Sequence, residues 1–136
     1  RHVPNRIANM AVAGVKCVRV NTLSAVGDYI HAEDVARGIV ALLRAPTLRY
    51  SAYNIAQGCV TTIAELVEWA AQRSPGFHAV ITADAQADIL QDASLREGMW
   101  GAYDISRITA ETGWQPRPVR AALHAYMQWI EAQGHE

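Results

Sequence analysis

The sequence predicts a single globular domain that combines α-helices with short β-strands, of the α/β or α+β class. The chain has 136 residues, of which 51% are hydrophobic. A chain of this size buries enough surface to form one hydrophobic core. Segments with helical spacing of apolar residues alternate with short β-branched runs, and the sequence contains no internal repeat. We therefore treat residues 1–136 as one domain.

The first third of the chain is predicted to contain two helices and two short strands. Pro4 suits the first turn of a helix and Gly14 suits its end, so residues 4–13 are expected to be helical. The β-branched run at 15–20 predicts a strand. The remaining predictions here are a loop at 21–27, a brief strand at 28–31, and a helix at 33–44 that Pro46 ends.

The rest of the chain has one firm helix start, at Thr62. Thr62 and Glu65 have the spacing of a capping box, in which the threonine binds forward and the glutamate reaches back. The other predicted elements are a strand at 50–56, a strand at 77–82, a long loop at 83–103, a short helix between Asp104 and Gly113, and a final amphipathic helix that begins at Pro118.

Composition and charge argue against several classes of partner. The net charge is −1, which gives no reason to expect nucleic acid as a partner. No apolar run approaches the ~20 residues that cross a bilayer, and no targeting segment is visible. Cys17 and Cys59 lie far apart in mostly apolar surroundings, as is typical of free thiols in a reducing compartment. We expect a soluble, cytoplasmic chain without a membrane partner, and the start at Arg1 is consistent with a fragment or a processed product.

Three stretches of the sequence resemble motifs of a known family and occur in the same order as in that family. They are GDYIHAEDVARGIVALL (27–43), YNIAQGCVTTIAELVE (53–68) and YDISRITAETGWQP (103–116). Together they resemble the C-terminal half of the NAD-dependent epimerase/dehydratase family, the extended short-chain dehydrogenases. The resemblance extends over roughly residues 4–132. It implies an α/β fold, specifically the C-terminal portion of a Rossmann-type, NAD(P)-binding protein.

The N-terminal half of this family supplies two devices that this sequence lacks. One is a glycine-rich turn for the cofactor pyrophosphate, and the other is a Tyr-x-x-x-Lys pair for proton transfer. The single lysine is Lys16, and the residue four positions before it is Val12. The resemblance therefore implies that NAD or NADP binds the full-length parent. The chain alone is expected to bind no cofactor, to be inactive, and to need a missing N-terminal Rossmann half as its partner.

The same resemblance implies four substrate-binding candidates. In members that bind UDP-sugars, an arginine grips the diphosphate and an aromatic residue two positions later lies against the nucleotide. Here Gly27 stands at the arginine position and Tyr29 at the aromatic one, and Arg96 matches a second phosphate-binding arginine. Trp100 and Tyr103 are candidates to close over the ligand. The alternative interpretations are core packing for Tyr29, Trp100 and Tyr103, and an ordinary surface position for Arg96.

The other polar residues in these stretches have structural interpretations. His31 is expected to be a structural histidine, and Asp34 is expected to cap the helix that follows it. Asn54 and Gln57 are interpreted as turn residues, because side-chain amides often bind the local backbone. No residue of the chain is predicted to be catalytic. The five histidines lack ligand spacing, so no metal site is predicted.

The function implied by the resemblance is that of a substrate-binding part. It would belong to an NAD(P)-dependent epimerase, dehydratase or dehydrogenase that acts on a sugar, a sugar acid or a nucleotide sugar. Gly27 at the arginine position favours a smaller sugar or a uronate over a UDP-sugar. The alternatives are a non-catalytic small-molecule-binding domain and an NAD(P)-sensing regulator. The strand expected at 50–56 would have an unpaired edge, which suggests a homodimer.

Overall fold

A computed structural model of the chain describes residues 2–92 and 101–134. The predicted mixture of helices and short strands is confirmed in these ranges. The elements in chain order are α1 (Val3–Val12), β1 (Cys17–Val20), β2 (Val26–Gly27), α2 (Ala32–Arg44), β3 (Thr61–Thr62), α3 (Ile63–Arg73), β4 (His78–Ile81), a short 3-10 turn (Asp84–Gln86), α4 (Ser106–Thr112) and α5 (Val119–Gln133). None of the helices in these ranges has the length and apolar composition needed to cross a bilayer.

Strand β1 has neighbours along both edges. On one edge it pairs in parallel with β4. On the other edge the backbone N–H groups of Asp88 and Ile89 donate to the carbonyl of Arg19, at 2.8 and 3.1 Å. The Asp88 carboxylate also lies 2.7 Å from the Arg19 guanidinium, which lowers the pKa of Asp88 to about 2. Segment 88–91 therefore occupies the edge of β1 opposite β4.

The hydrophobic core lies between β1 and three helices. Helices α1, α3 and α5 contact one another, and Val18 of β1 faces them. Ile7 in α1, Leu66 in α3 and Met127 in α5 have no exposed surface. A fully buried aliphatic side chain stabilises the folded state by about 1.5–3 kcal/mol through the surface it removes from water. This three-helix layer is consequently the main source of stability in the described part.

Helix α2 packs through a different face from its apolar stripe. Its buried residues are Asp34 and Gly38, whereas Ile39 and Leu43 are 47% and 80% exposed. A Cβ atom at Gly38 would lie 2.8 Å from the side chain of Ile55, so the glycine permits a close approach. The helix therefore packs through the side chain of Asp34 and the backbone at Gly38, and much of its apolar stripe faces outward.

Two predicted strands are wrong. Within the described part, residues 28–31 form no strand, and β2 lies just before them, inside the predicted loop at 21–27. Residues 50–56 are also irregular there, because side chains take the hydrogen bonds that a strand partner would supply. The Tyr50 amide donates to the Tyr53 hydroxyl at 3.1 Å, and the carbonyl of Ala52 accepts from the Arg107 side chain at 3.3 Å.

The helix starts confirm one predicted cap and correct another. Thr62 accepts from the Glu65 amide at 3.1 Å, and the Glu65 carboxylate accepts from the Thr62 amide at 2.8 Å, which is the predicted capping box. The N-cap of α2 is His31, whose Nδ1 accepts from the Glu33 amide at 3.2 Å. Asp34 was predicted to cap this helix, but it lies inside the first turn and forms a buried ion pair.

Candidate functional site

Asp28 joins three segments that are distant in sequence. Its carboxylate accepts the backbone N–H groups of Gln57 at 2.7 Å, Gly58 at 3.0 Å and Tyr103 at 3.1 Å. Hydrogen bonds to an ionised group are stronger than those between neutral groups. Asp28 therefore fixes the turn at 57–58 and the start of the segment that leads into α4 relative to the end of β2.

The turn at 57–58 needs glycine at its second position. Gly58 has a φ of 75°, in the left-handed region that glycine adopts most readily. A Cβ atom at this position would also lie 2.8 Å from the side chain of Ile105. Conformation and space thus both favour glycine here, and the turn lies directly against the residues before α4.

A cleft of about 570 Å³ opens between this turn and α4, and we call it the Tyr103 cleft. Its volume lies within the range of roughly 300–1,000 Å³ that is usual for small-molecule sites. Tyr103 is 54% exposed, so its ring does not fill the core. The residues that line this cleft include Gln57, Gly58, Tyr103, Asp104, Ser106 and Gln115.

A second cleft of about 450 Å³ is bordered by Asp28 and lies between the start of α1, residues 28–32 and α5. We call it the Tyr29 cleft. The ring of Tyr29 is half-buried and packs against the core. It also covers Gly27, since a Cβ atom on that glycine would lie 2.5 Å from the Tyr29 Cζ. The aromatic ring thus fills the space beside the position where the family resemblance expects an arginine.

We expect Gly27→Ala to move the Tyr29 ring outward. Burial raises the pKa of the Tyr29 hydroxyl, so a displaced ring should have a pKa closer to the ordinary value. Absorbance titration of tyrosinate formation would measure this fall. Gly101→Ala is the matched control, because a Cβ there would lie more than 4 Å from every described residue apart from its neighbours in the chain. Equal titration curves for the two variants would contradict the packing of Tyr29 on Gly27.

His31 and Asp34 have structural roles. The Nδ1 atom of His31 accepts from the α2 backbone, which places the proton of the neutral ring on Nε2. Asp34 is fully buried and lies 2.8 Å from Arg37 and 2.9 Å from Arg117. Arg117 also binds Glu33 at 2.7 Å and lowers its pKa. These contacts attach the segment before α5 to the start of α2.

The four predicted substrate-binding residues have different outcomes. Tyr29 and Tyr103 line separate clefts, and the backbone of Tyr103 donates to Asp28. Arg96 and Trp100 lie outside the described residues. Their roles in binding stay predictions. In the described ranges, no group of three or more His, Cys, Asp or Glu residues is arranged to hold a metal ion.

Sequence reasoning missed Asp28 and assigned Gln57 only a role in the turn. Asp28 precedes Tyr29 in the first family stretch, but a single aspartate beside an aromatic residue does not indicate which amides it will bind. Gln57 does lie in a turn, and it also has a distinctive contact. Its side-chain Nε2 donates to the carbonyl of Arg117 at 3.1 Å. Only the tertiary arrangement could reveal these contacts.

Comparison with known proteins supports the family resemblance. Residues 1–56 match the model of the NAD dependent epimerase/dehydratase family. The resemblance to this family is confirmed. A search of curated proteins found no match to the sequence. The matched segment contains β1, β2 and α2, and it includes both Gly27 and Tyr29.

Solved structures with the same fold extend the comparison to nearly the whole chain. Pseudomonas aeruginosa RMD complexed with NADPH is 19% identical, with a TM-score of 0.68, over 96% of this chain and 42% of that one. Bordetella bronchiseptica WbmF in complex with NADH is 22% identical, with a TM-score of 0.70, over 97% and 37%. MoeE5 in complex with UDP-glucose and NAD is 18% identical, with a TM-score of 0.70, over 97% and 42%.

These similarities confirm the predicted α/β, Rossmann-type fold. The chain spans about two fifths of the length of these structures. At this level of identity the likeness concerns the fold. The chemistry of this chain has to be argued from its own residues.

Proposed function

We propose that this chain is the substrate-binding C-terminal part of an NAD(P)-dependent epimerase, dehydratase or dehydrogenase. Its substrate would be a sugar, a sugar acid or a nucleotide sugar. One observation carries the proposal: nearly the whole chain shares its fold with proteins solved with nicotinamide cofactors, yet it spans about two fifths of their length. The match of residues 1–56 to the epimerase/dehydratase family supports the same proposal.

The nicotinamide cofactor would belong to a Rossmann half supplied by a longer parent. When bound there, it would accept and return a hydride. The described residues do not fit the cofactor themselves. The ammonium of Lys16 donates to the carbonyl of Pro75 at 3.1 Å, and Lys16 lines neither the Tyr103 cleft nor the Tyr29 cleft. In the described ranges, β1 is followed by Asn21 and β2, rather than by a glycine-rich turn and a helix.

The contribution of this chain would be orientation of the substrate. Asp28 fixes the backbone on both sides of the Tyr103 cleft before any ligand arrives. Holding a reactant in a productive geometry can lower a barrier by several kcal/mol, because the entropy of alignment is lost on binding. The candidate binding residues are Tyr29 and Tyr103, together with the sequence candidates Arg96 and Trp100.

The reading frame upstream of Arg1 tests this proposal directly. It is expected to encode a glycine-rich turn and a Tyr-x-x-x-Lys pair, and the longer protein should convert a sugar substrate when NAD or NADP is bound. A dehydrogenase would accumulate the reduced cofactor, whereas an epimerase or dehydratase would return the hydride and change only the sugar. An upstream frame without either device would favour a non-catalytic binding domain. A frame that keeps the glycine-rich turn but lacks the Tyr-x-x-x-Lys pair would favour an NAD(P)-sensing regulator.

The 136-residue chain is expected to show no micromolar binding of NAD or NADP. The reason is that the described residues offer no pyrophosphate turn, and the lysine is bound elsewhere. Isothermal titration calorimetry of the purified chain measures this, with the longer protein as the positive control. Micromolar affinity of the chain alone would show that the cofactor site had been assigned to the wrong half.

Two further expectations stay predictions. One of them is the cytoplasmic location. A homodimer was predicted from a strand edge at 50–56, but those described residues form no strand. Any self-association would therefore need a different surface, and sedimentation would reveal it.

A further inference from the structure

We infer that the Tyr103 cleft is a preformed site for an uncharged, hydroxyl-rich ligand such as a sugar ring, with Asp28 as its positioning residue. This inference rests on the proposed function and deepens it by naming a substrate class. Four features of the described residues carry it: fixed walls, the absence of a cation in the lining, an unused buried acceptor, and an exposed aromatic ring.

The side chain of Asp28 connects the two walls of the cleft. One wall contains Gln57 and Gly58, and the other contains Tyr103. The Asp28 carboxylate accepts a backbone N–H from each of these three residues, at 2.7, 3.0 and 3.1 Å. Because the backbone of both walls is bound to one side chain, a ligand meets an already shaped cleft. Such preorganisation reduces the entropy lost on binding.

The charges around the cleft disfavour an anionic ligand. Among the described residues that line it, none is a lysine or an arginine. Two nearby arginines are occupied elsewhere: Arg107 lies over the ring of Tyr50, and Arg117 binds Glu33 and Asp34. Asp104 adds a negative charge to the lining, and its carboxylate accepts the Ser106 amide at 2.8 Å. A phosphate or carboxylate would therefore lack a charged partner in this part of the site.

The side-chain oxygen of Gln57 is a hydrogen-bond acceptor without a donor among the described residues. Its Nε2 donates to the carbonyl of Arg117, which identifies the other side-chain atom as the oxygen. That oxygen, Oε1, is buried and accepts no hydrogen bond from any described residue. Buried polar atoms normally have a partner, so this one calls for a donor. Gln57 is 8% exposed and lines the cleft, so this acceptor belongs to a residue in contact with the space that a ligand would occupy.

Tyr103 supplies an apolar surface at the mouth of the cleft. Its side chain is more than half exposed, while its backbone is fixed by Asp28. A sugar ring presents apolar C–H groups on its faces and hydroxyls at its edges. A ring that lies on Tyr103 and donates a hydroxyl to Gln57 would satisfy both features. Apolar walls with a few placed polar groups are the usual composition of small-molecule sites.

The experiment is a titration of the isotopically labelled 136-residue chain, followed by the backbone amide signals in NMR. The probes are glucose, galactose, mannose, glucuronate and UDP-glucose. We expect at least one neutral hexose to shift the amide signals of Gln57, Gly58 and Tyr103. At this cleft that hexose should bind several-fold more tightly than glucuronate. Tighter binding of glucuronate or UDP-glucose at these amides would overturn the inference, as would the absence of shifts with every neutral hexose.

Variants separate recognition by Gln57 from a general structural effect. Gln57→Leu removes the acceptor and should weaken hexose binding by about fivefold, the usual size for one hydrogen bond. Gln128→Leu is the matched control, since Gln128 is exposed on α5, and it should leave the affinity unchanged. Equal affinities for the two variants would contradict the role of Gln57.

Asp28→Asn tests the positioning role. The variant should weaken hexose binding and also speed hydrogen exchange at the amides of Gln57, Gly58 and Tyr103, with little change at amides in α3. A uniform increase across the chain would indicate ordinary destabilisation and would contradict local positioning. These measurements use the chain itself and need no cofactor half. They can therefore fail while the upstream reading frame still supports the proposed function, and the reverse also holds.

Discussion

Asp34→Ala is expected to lower the free energy of unfolding by about 3 kcal/mol. Asp34 has no exposed surface, and it lies 2.8 Å from Arg37 and 2.9 Å from Arg117. The alanine removes the carboxylate that binds Arg37 and one of the two carboxylates that bind Arg117, and it also leaves a small void. Urea denaturation of the variant and the wild-type chain would measure the difference as a shift in the midpoint.

Two controls show whether burial of the charge is the cause. Asp84→Ala makes the same change on the exposed 3-10 turn and should alter stability by less than about 0.5 kcal/mol. Asp34→Asn keeps the shape and loses the charge, so its effect should lie between the two. A midpoint for Asp34→Ala equal to that of Asp84→Ala would show that the ion pair contributes no net stability.

The ion pair also matters for the proposed site. Arg117 binds Asp34 through its side chain, while its carbonyl accepts from the Gln57 amide group at 3.1 Å. Loss of Asp34 should therefore loosen the contact that orients Gln57. We expect Asp34→Ala to weaken any hexose binding under conditions where the chain is still folded.

Leu66→Ala is expected to destabilise the chain by about 3 kcal/mol. Leu66 lies in α3, has no exposed surface, and belongs to the core that α1, α3 and α5 share. Truncation removes buried apolar surface and leaves a cavity that neighbouring side chains fill only in part. Thermal and urea unfolding of the variant would both show the loss.

Leu43→Ala is the matched control for this substitution. Leu43 is 80% exposed on the outward stripe of α2, so the same truncation should change stability by less than about 0.5 kcal/mol. A loss similar to that of Leu66→Ala would mean that another surface covers this stripe in solution. Sedimentation of the wild-type chain would then show whether that surface belongs to a second copy.

The sequence was most informative about the helices, because their signals are local. Apolar spacing and the position of Pro4 predicted α1, and the Thr62 and Glu65 pair predicted the start of α3. Strands depend on distant partners, which a short window cannot reveal. Residues 50–56 have the composition of a strand, but the side chains of Tyr53 and Arg107 bind their backbone instead.

The candidate site was less predictable than the fold. Tyr29 and Tyr103 were identified through the family resemblance, but it could not show that they line separate clefts. The contacts of Asp28 join positions 29, 30 and 75 residues away, so no local spacing encodes them. The packing of Tyr29 on Gly27 was equally hidden, since it depends on the side-chain conformation of the tyrosine.

The arrangement around β1 limits how its sheet can grow. Segment 88–91 holds the outer edge of β1 through backbone bonds to Arg19 and Asn21 and through the pairing of Val20 with Ile89. A strand from another polypeptide could reach that edge only by exchange, with 88–91 released. Among the described residues, the far edge of β4 has no strand partner, so addition without exchange would take place there. An incoming strand at β1 would thus replace segment 88–91, whereas an incoming strand at β4 would extend the sheet.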